Sequence, residues 1–390
     1  MMRFFFISFL FCSATALSQV KVGDVFPDWS EGYLDIHHIN TGKGECAFFI
    51  LPDGTTMLVD AGASRRTERV TPAKPDDSRT PGQWIVRYIS QMMRPFPQKK
   101  LDYVMLTHFH DDHIGAVAEV AEHIPFDKIV DRNWPDYDYP FPLVQDIVQN
   151  YIKFVKQKIS QRGVVAEQFR AGANDQFKLV RRPEKYPEFE IRNIVSNGQV
   201  WTGTANNVRS HFPPLENLSR EDYPNENHCS SGFRLSYGKF DYFTGGDLLK
   251  AAFQGDPRDV EGHVGRVVGP VEVCVANHHA NHDTMGEEFL SAVRPKVIVI
   301  QVFVPSQPDN GALNRMLSRR IYPGSRDIFA TNVMEETRIV VGNPVAQLKS
   351  QQGHVVVRVH PGGNEFMVYI LDDSAETFRV KSAHGPYICE

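Results

Sequence analysis

The stretch Thr107-His108-Phe109-His110-Asp111-Asp112-His113 decides how the rest of the chain reads. It follows Tyr103–Leu106, an apolar run that predicts a buried strand. It precedes Ile114–His123, which predicts a helix stopped by Pro125. His108 and His110 are two residues apart, so in an extended segment both rings project to one side. Asp112 and His113 follow at the turn into the helix. Three imidazoles and a carboxylate this close together form a metal-ligand set. They do not all fit comfortably round one ion, so two adjacent metals are expected.

Two further strand ends supply more ligand chemistry. Phe240–Thr244 runs into Gly245-Gly246-Asp247, where the glycines let the backbone turn sharply and bring the carboxylate close to something bulky. Val271–Ala276 runs into Asn277-His278-His279. Either feature alone is an ordinary turn or a chance pair. Together with Thr107–His113 they place metal-competent side chains after three buried strands, and convergence at one sheet edge is the simplest explanation. Asp60 closes the strand Met57–Val59 before Ala61-Gly62 and reads as a carboxylate that orients a metal-bound imidazole.

The wider pattern is α/β. Tyr33–Ile39 alternates as a strand, and Cys46–Leu51 and Thr56–Val59 flank Pro52-Asp53-Gly54 as a hairpin. Trp84–Met93 and Leu143–Ile159 read as helices, and Phe189–Ile194 as a strand. Phe233–Tyr237 and Phe240–Thr244 form a second hairpin round Gly238-Lys239. Met285–Val293 reads as a helix and Val297–Val304 as a strand. Val355–Val359 and Met367–Leu371 pair near the end. Hairpins alternating with helices predict a layered α/β sandwich. No linker divides the chain. We expect one domain over 19–390, with an insertion around 126–215 and a C-terminal β-hairpin extension.

Composition narrows the classes. The chain has 390 residues, 42% hydrophobic and 23% charged, which excludes disordered, collagen-like and coiled-coil proteins. A formal charge of −5 provides no general attraction to long nucleic acid or an anionic membrane. Residues 1–18 combine Arg3, an apolar run from Phe4 to Cys12 and the ending Ala16-Leu17-Ser18, the pattern of a secretory signal peptide. No later run is long enough to span a bilayer. An exported protein, periplasmic or extracellular, is therefore expected. Cys46, Cys229, Cys274 and Cys389 form no C-x-x-C motif. His37 and His38 read as sheet-face residues, and Asn133–Pro142 reads as a packed loop or a pocket wall.

The H-x-H-x-D-H stretch, the D-x-G after Met57–Val59, the late Gly-Asp and the late histidine resemble the metallo-β-lactamase superfamily. Four stretches are similar to the hydrolase domain of the DNA-uptake competence channel protein and its secreted relatives. They are Thr41-Gly42-Lys43-Gly44-Glu45, Leu51–Gly62, Glu226-Asn227-His228-Cys229-Ser230, and Asn277-His278-His279 with the residues through Val297. The resemblance covers roughly 33–305. It implies a four-layer αββα sandwich with a dinuclear site at one sheet edge. It implies His108 and His110 on one metal, Asp112 and His113 on the other, and Asp247 bridging both. One of His278 and His279 would join the second metal, with His278, the first of the pair, preferred. His228 lies in the variable part of an E-N-x-x-S pattern, where many members carry another histidine ligand, and is a further candidate with Cys229 beside it.

The resemblance implies an enzyme. Two divalent ions held by nitrogen and oxygen donors activate water as a nucleophile near neutral pH, and Asp112 would orient it and manage its proton. Lack of thiolates in the set favours zinc, with manganese or iron as alternatives. The expected substrate is a small phosphoester or phosphodiester. The alternatives are a lactam, lactone or other acyl substrate, a non-catalytic metal-binding protein of the same fold, and a diiron oxidoreductase. Oligomeric state is not legible.

Overall fold

Short apolar runs, buried on both faces in the central strands, build two sheets. The computed structural model describes residues 20–63 and 71–390, so the expected leader lies outside the described residues. The first sheet contains β1 (Leu34–His38), β2 (Ala47–Ile50), β3 (Thr56–Val59), β4 (Leu101–Met105), β5 (Phe126–Asp131) and β6 (Val165–Gln168). The second contains β7 (Glu190–Ser196), β8 (Gln199–Trp201), β9 (Val208–Ser210), β10 (Gly232–Tyr237), β11 (Phe240–Thr244), β12 (Val273–Val275), β13 (Val297–Ile300) and β14 (Asp327–Ala330). The chain then returns to the first sheet as β15 (His354–Val359), β16 (Glu365–Leu371) and β17 (Val380–Ile388), with β15 beside β1. Residues 126–215 thus contribute strands to both sheets.

Alternate side chains of each strand face different layers. Phe49, Met57, Val59 and Met105 meet Phe233, Tyr242, Val273 and Val299 between the sheets. The opposite faces carry helices. Phe48, Leu58 and Val104 pack on helices Pro81–Met92, Val117–His123 and Asp146–Arg162. Phe243, Cys274 and Ile298 pack on helices Glu261–Val268, Glu287–Val293 and Asn310–Leu317. The result is the expected helix–sheet–sheet–helix sandwich. Among the described residues, no helix is long and apolar enough to cross a membrane. The four cysteines named above are free and buried.

Boundaries differ from the sequence reading for local reasons. The first helix begins at Pro81 rather than Trp84, because Thr80 and Gln83 form a reciprocal cap and proline fits the first turn. Ile114–His123 is two pieces, Asp111–Ile114 and Val117–His123, broken at Gly115-Ala116. The strand expected to Val304 stops at Ile300. There the Gln301 side chain accepts from the Cys46 amide (3.1 Å) and ties the sheets together behind the loops.

β3 to β6 run parallel, as do β11 to β14. Their C-terminal ends lead into the loops that carry Asp60, Thr107–His113, Asp247 and His278-His279. Gly62 is required there, since a Cβ would stand 1.7 Å from the Asp112 carbonyl oxygen. Gly246 adopts φ +57°, and its Cβ would crowd Thr107.

Two buried histidines away from that edge set a pH dependence. Burial holds His354 at about 4 and His38 at about 3. His354 Nδ1 accepts from the Asn40 amide (3.0 Å), which requires the neutral ring. Because the folded values are depressed, the unfolded chain binds more protons below its own value near 6.5. The stabilisation is therefore complete above that pH and is lost as pH falls towards 4, by about 3 kcal/mol for His354. His354→Asn keeps an acceptor for Asn40 without titrating. Thermal unfolding from pH 7 to pH 4 should show a shallower loss in that variant, and an equally steep loss would contradict this account.

Candidate metal centre

Asp247 is the centre of the site. It is 1% exposed and follows β11, with its backbone N–H donating to Ser230 Oγ (3.1 Å). Its Oδ1 stands 3.2 Å from His113 Nε2 and 3.5 Å from His279 Nε2. Its Oδ2 stands 3.4 Å from His108 Nε2 and 3.8 Å from His278 Nε2. His110 Nδ1 approaches His108 Nε2 to 3.1 Å. His113 Nε2 and His279 Nε2 are 3.3 Å apart, and Asp112 Oδ2 lies 3.3 Å from His279 Nε2.

Hydrogen bonds at the far side of each ring assign the tautomers. Thr107 Oγ1 donates to Asp60 Oδ2 (2.7 Å) and is 3.1 Å from His108 Nδ1, from which it accepts. His113 Nδ1 donates to Asp60 Oδ2 (2.8 Å). His279 Nδ1 donates to the Gln301 carbonyl (2.9 Å). Each of these rings therefore turns an Nε2 lone pair towards carboxylate oxygens and other lone pairs. Such an arrangement is repulsive unless a cation stands between the donors, so the residues fit divalent metals. Electrostatics say the same. Burial lowers the His279 value, but Asp247 and Asp112 outweigh it and raise it to about 9. Burial also works against ionised Asp247, yet His113 and His279 hold its carboxyl well below the usual range. The pocket attracts positive charge.

Two donor groups result. His108, His110 and Asp247 offer atoms within 4.8 Å of one another, and so do Glu45, His113, Asp247 and His279. Asp247 belongs to both. Asp112 lies beside the second through its contact with His279. Of the histidine pair, His279 is in the second group and is 1% exposed, whereas His278 is in neither and bonds Asp283 and Asn227. His228 bonds Asn225 and Cys229 is buried, both outside the two groups.

Residues 42–173 match the family model described as the metallo-beta-lactamase superfamily. Over that third of its length the chain is similar to a metallo-beta-lactamase superfamily domain. A comparison with curated proteins gave no match. Among solved structures, the chain is similar to the diiron β-hydroxylase CmlA from Streptomyces venezuelae (10% identity, TM-score 0.41). That match covers 85% of this chain and 55% of CmlA, so the chain spans about half of that protein. It is also similar to unliganded yeast PDE1 (11%, TM-score 0.41, 84% and 99% covered). A putative metal-dependent hydrolase from Parabacteroides distasonis gives 14% identity and TM-score 0.37, with 80% and 99% covered.

Several residues support the site through contacts that their places in the sequence do not announce. Glu226 accepts from the Phe109 amide (2.8 Å), between His108 and His110. It is clamped by Arg132, which is fully buried and donates to both carboxylate oxygens (2.8 and 2.6 Å). The guanidinium also lies 4.9 Å over the Phe109 ring. Glu45 comes within 3.4 Å of His279 Nδ1 from the start of β2. Asn133, Trp134 and Tyr139 line a separate cavity of about 640 Å³ with Gln168 and Asn197.

Asp247→Ala should remove the residue common to both groups and abolish zinc binding, measured by metal counting after dialysis. Asp60→Asn keeps the shape but weakens the acceptor behind His113, and should lower zinc affinity about 10- to 100-fold. Wild-type affinity in both variants would contradict the geometry.

Proposed function

We propose that this chain is a dinuclear-metal-dependent hydrolase of small phosphoesters or phosphodiesters that acts after export. The observation that carries the proposal is Asp247, whose two oxygens face two separate sets of histidine donors. His108, His110 and Asp247 would hold one ion, and Asp112, His113, Asp247 and His279 the other. Ions bound there supply activated water and stabilise charge on the attacked and departing oxygens.

The chain's own residues provide the rest. Burial raises the Asp112 value, but hydrogen bonding to His279 and the charge of His113 lower it further, so Asp112 is ionised. Beside His279, Asp112 would orient the attacking water and accept its proton. Glu226 and Arg132 hold His108 and His110 through the intervening backbone. A cavity of about 380 Å³ opens beside His110, walled by Phe109, Gln145, Ile147 and Val148, and suits one substituent of a diester. The likeness to competence-type hydrolases supports the phosphodiester, and the leader-like start, 1–18, supports export.

Hydrolysis of bis(p-nitrophenyl) phosphate by the chain lacking residues 1–18, with bound metal counted in the same sample, tests this. Turnover that chelation abolishes, and that zinc or manganese restores, is expected. Two metals per chain with no diester turnover, but with lactone opening, would replace the substrate class with an acyl one.

A further inference from the structure

His278 and His279 are consecutive, yet they address different oxygens of one carboxylate. His279 faces Asp247 Oδ1, the oxygen that His113 also approaches. His278 faces Oδ2, the oxygen that His108 also approaches. Neighbouring residues in ordinary extended or helical backbone point their side chains well apart. Here His278, His279 and Ala280 all lie in the left-handed region, at φ +45°, +53° and +59°. This run of non-glycine residues is unusual, and such conformations gather at functional sites. It brings both rings to the same aspartate.

The hydrogen bonds of His278 follow the pattern of the other donor rings. Its Nδ1 donates to Asp283 Oδ1 (2.8 Å), as His113 Nδ1 donates to Asp60. That leaves the Nε2 lone pair towards Asp247, with the Asn227 amide nitrogen 3.1 Å away as its present donor. Asn227 is itself buried, and its Oδ1 has no hydrogen-bond partner. A carboxylate behind an imidazole fixes its tautomer and raises its strength as a ligand.

We propose that the pair is divided between the two metals, His279 serving the second and His278 joining His108, His110 and Asp247 on the first. The assignment rests on the dinuclear reading above. It gives the first ion three histidines and one carboxylate oxygen. Ligation exchanges the Asn227 hydrogen bond for a metal bond and leaves the amide to face the site.

Zinc alone is the probe, counted per folded chain after dialysis and titrated by calorimetry. The wild type should hold two zinc ions, H278A one, H279A one, and H278A/H279A none. If both histidines served one metal, the double variant would still hold one. D283N, which leaves the ring in place but weakens its alignment, should lower first-site affinity about 10-fold or more. Circular dichroism checks each fold, and D283N carries the test if H278A misfolds. Two zinc ions in H278A, or one in the double variant, overturn the assignment alone. Wild-type first-site affinity in D283N also overturns it. Fewer than two in the wild type overturns the dinuclear reading and the assignment with it.

Discussion

The whole site depends on one electrostatic constraint. Nε2 lone pairs from His108, His113 and His279 converge on a buried carboxylate, Asp247, and none can turn away. Each ring is held from behind, by Thr107, Asp60 and the Gln301 carbonyl respectively. Lone pairs packed this closely repel unless positive charge stands among them. The high value of His279 and the depressed one of Asp247 are two expressions of that demand. A divalent ion answers it better than protons do, because it accepts several donors at once.

The surrounding fold makes the constraint possible. A donor cluster of this kind would spread apart on mobile loops. Here it is anchored to the ends of strands buried on both faces, and the two sheets are joined directly behind it by Gln301 and Cys46. The loop bearing His108 and His110 is fixed through its own backbone. Phe109 donates to Glu226, and Glu226 is neutralised by an arginine with no exposure to solvent. Removing either partner would leave a buried charge unpaired, so this clamp is costly to break.

Two functional ideas meet at Asp247. The hydrolase reading needs two ions sharing a ligand. The division of His278 and His279 explains why successive residues adopt a left-handed backbone beside it. Asp112 lies beside the same cluster, in contact with His279, and on the hydrolase reading it would serve the attacking water.

Much of this was legible in the chain itself. Thr107–His113, placed between a buried strand and a helix, determined metal chemistry and the sheet edge that carries it, because the two-residue period of an extended segment puts His108 and His110 on one side. Apolar runs bounded by turns determined the layered α/β class, and Asp60 was readable as an orienting carboxylate from its place at a strand end. Tertiary structure alone decided the rest. Glu226 reaches Phe109 and Arg132 from about a hundred residues away, and Glu45 comes to His279 across two sheets. The expected preference for His278 was drawn from order in the chain, whereas it is His279 that stands among Glu45, His113 and Asp247, through a backbone conformation that residue types do not announce. Side-chain identity sets which atoms can donate. Only packing sets which lone pairs meet.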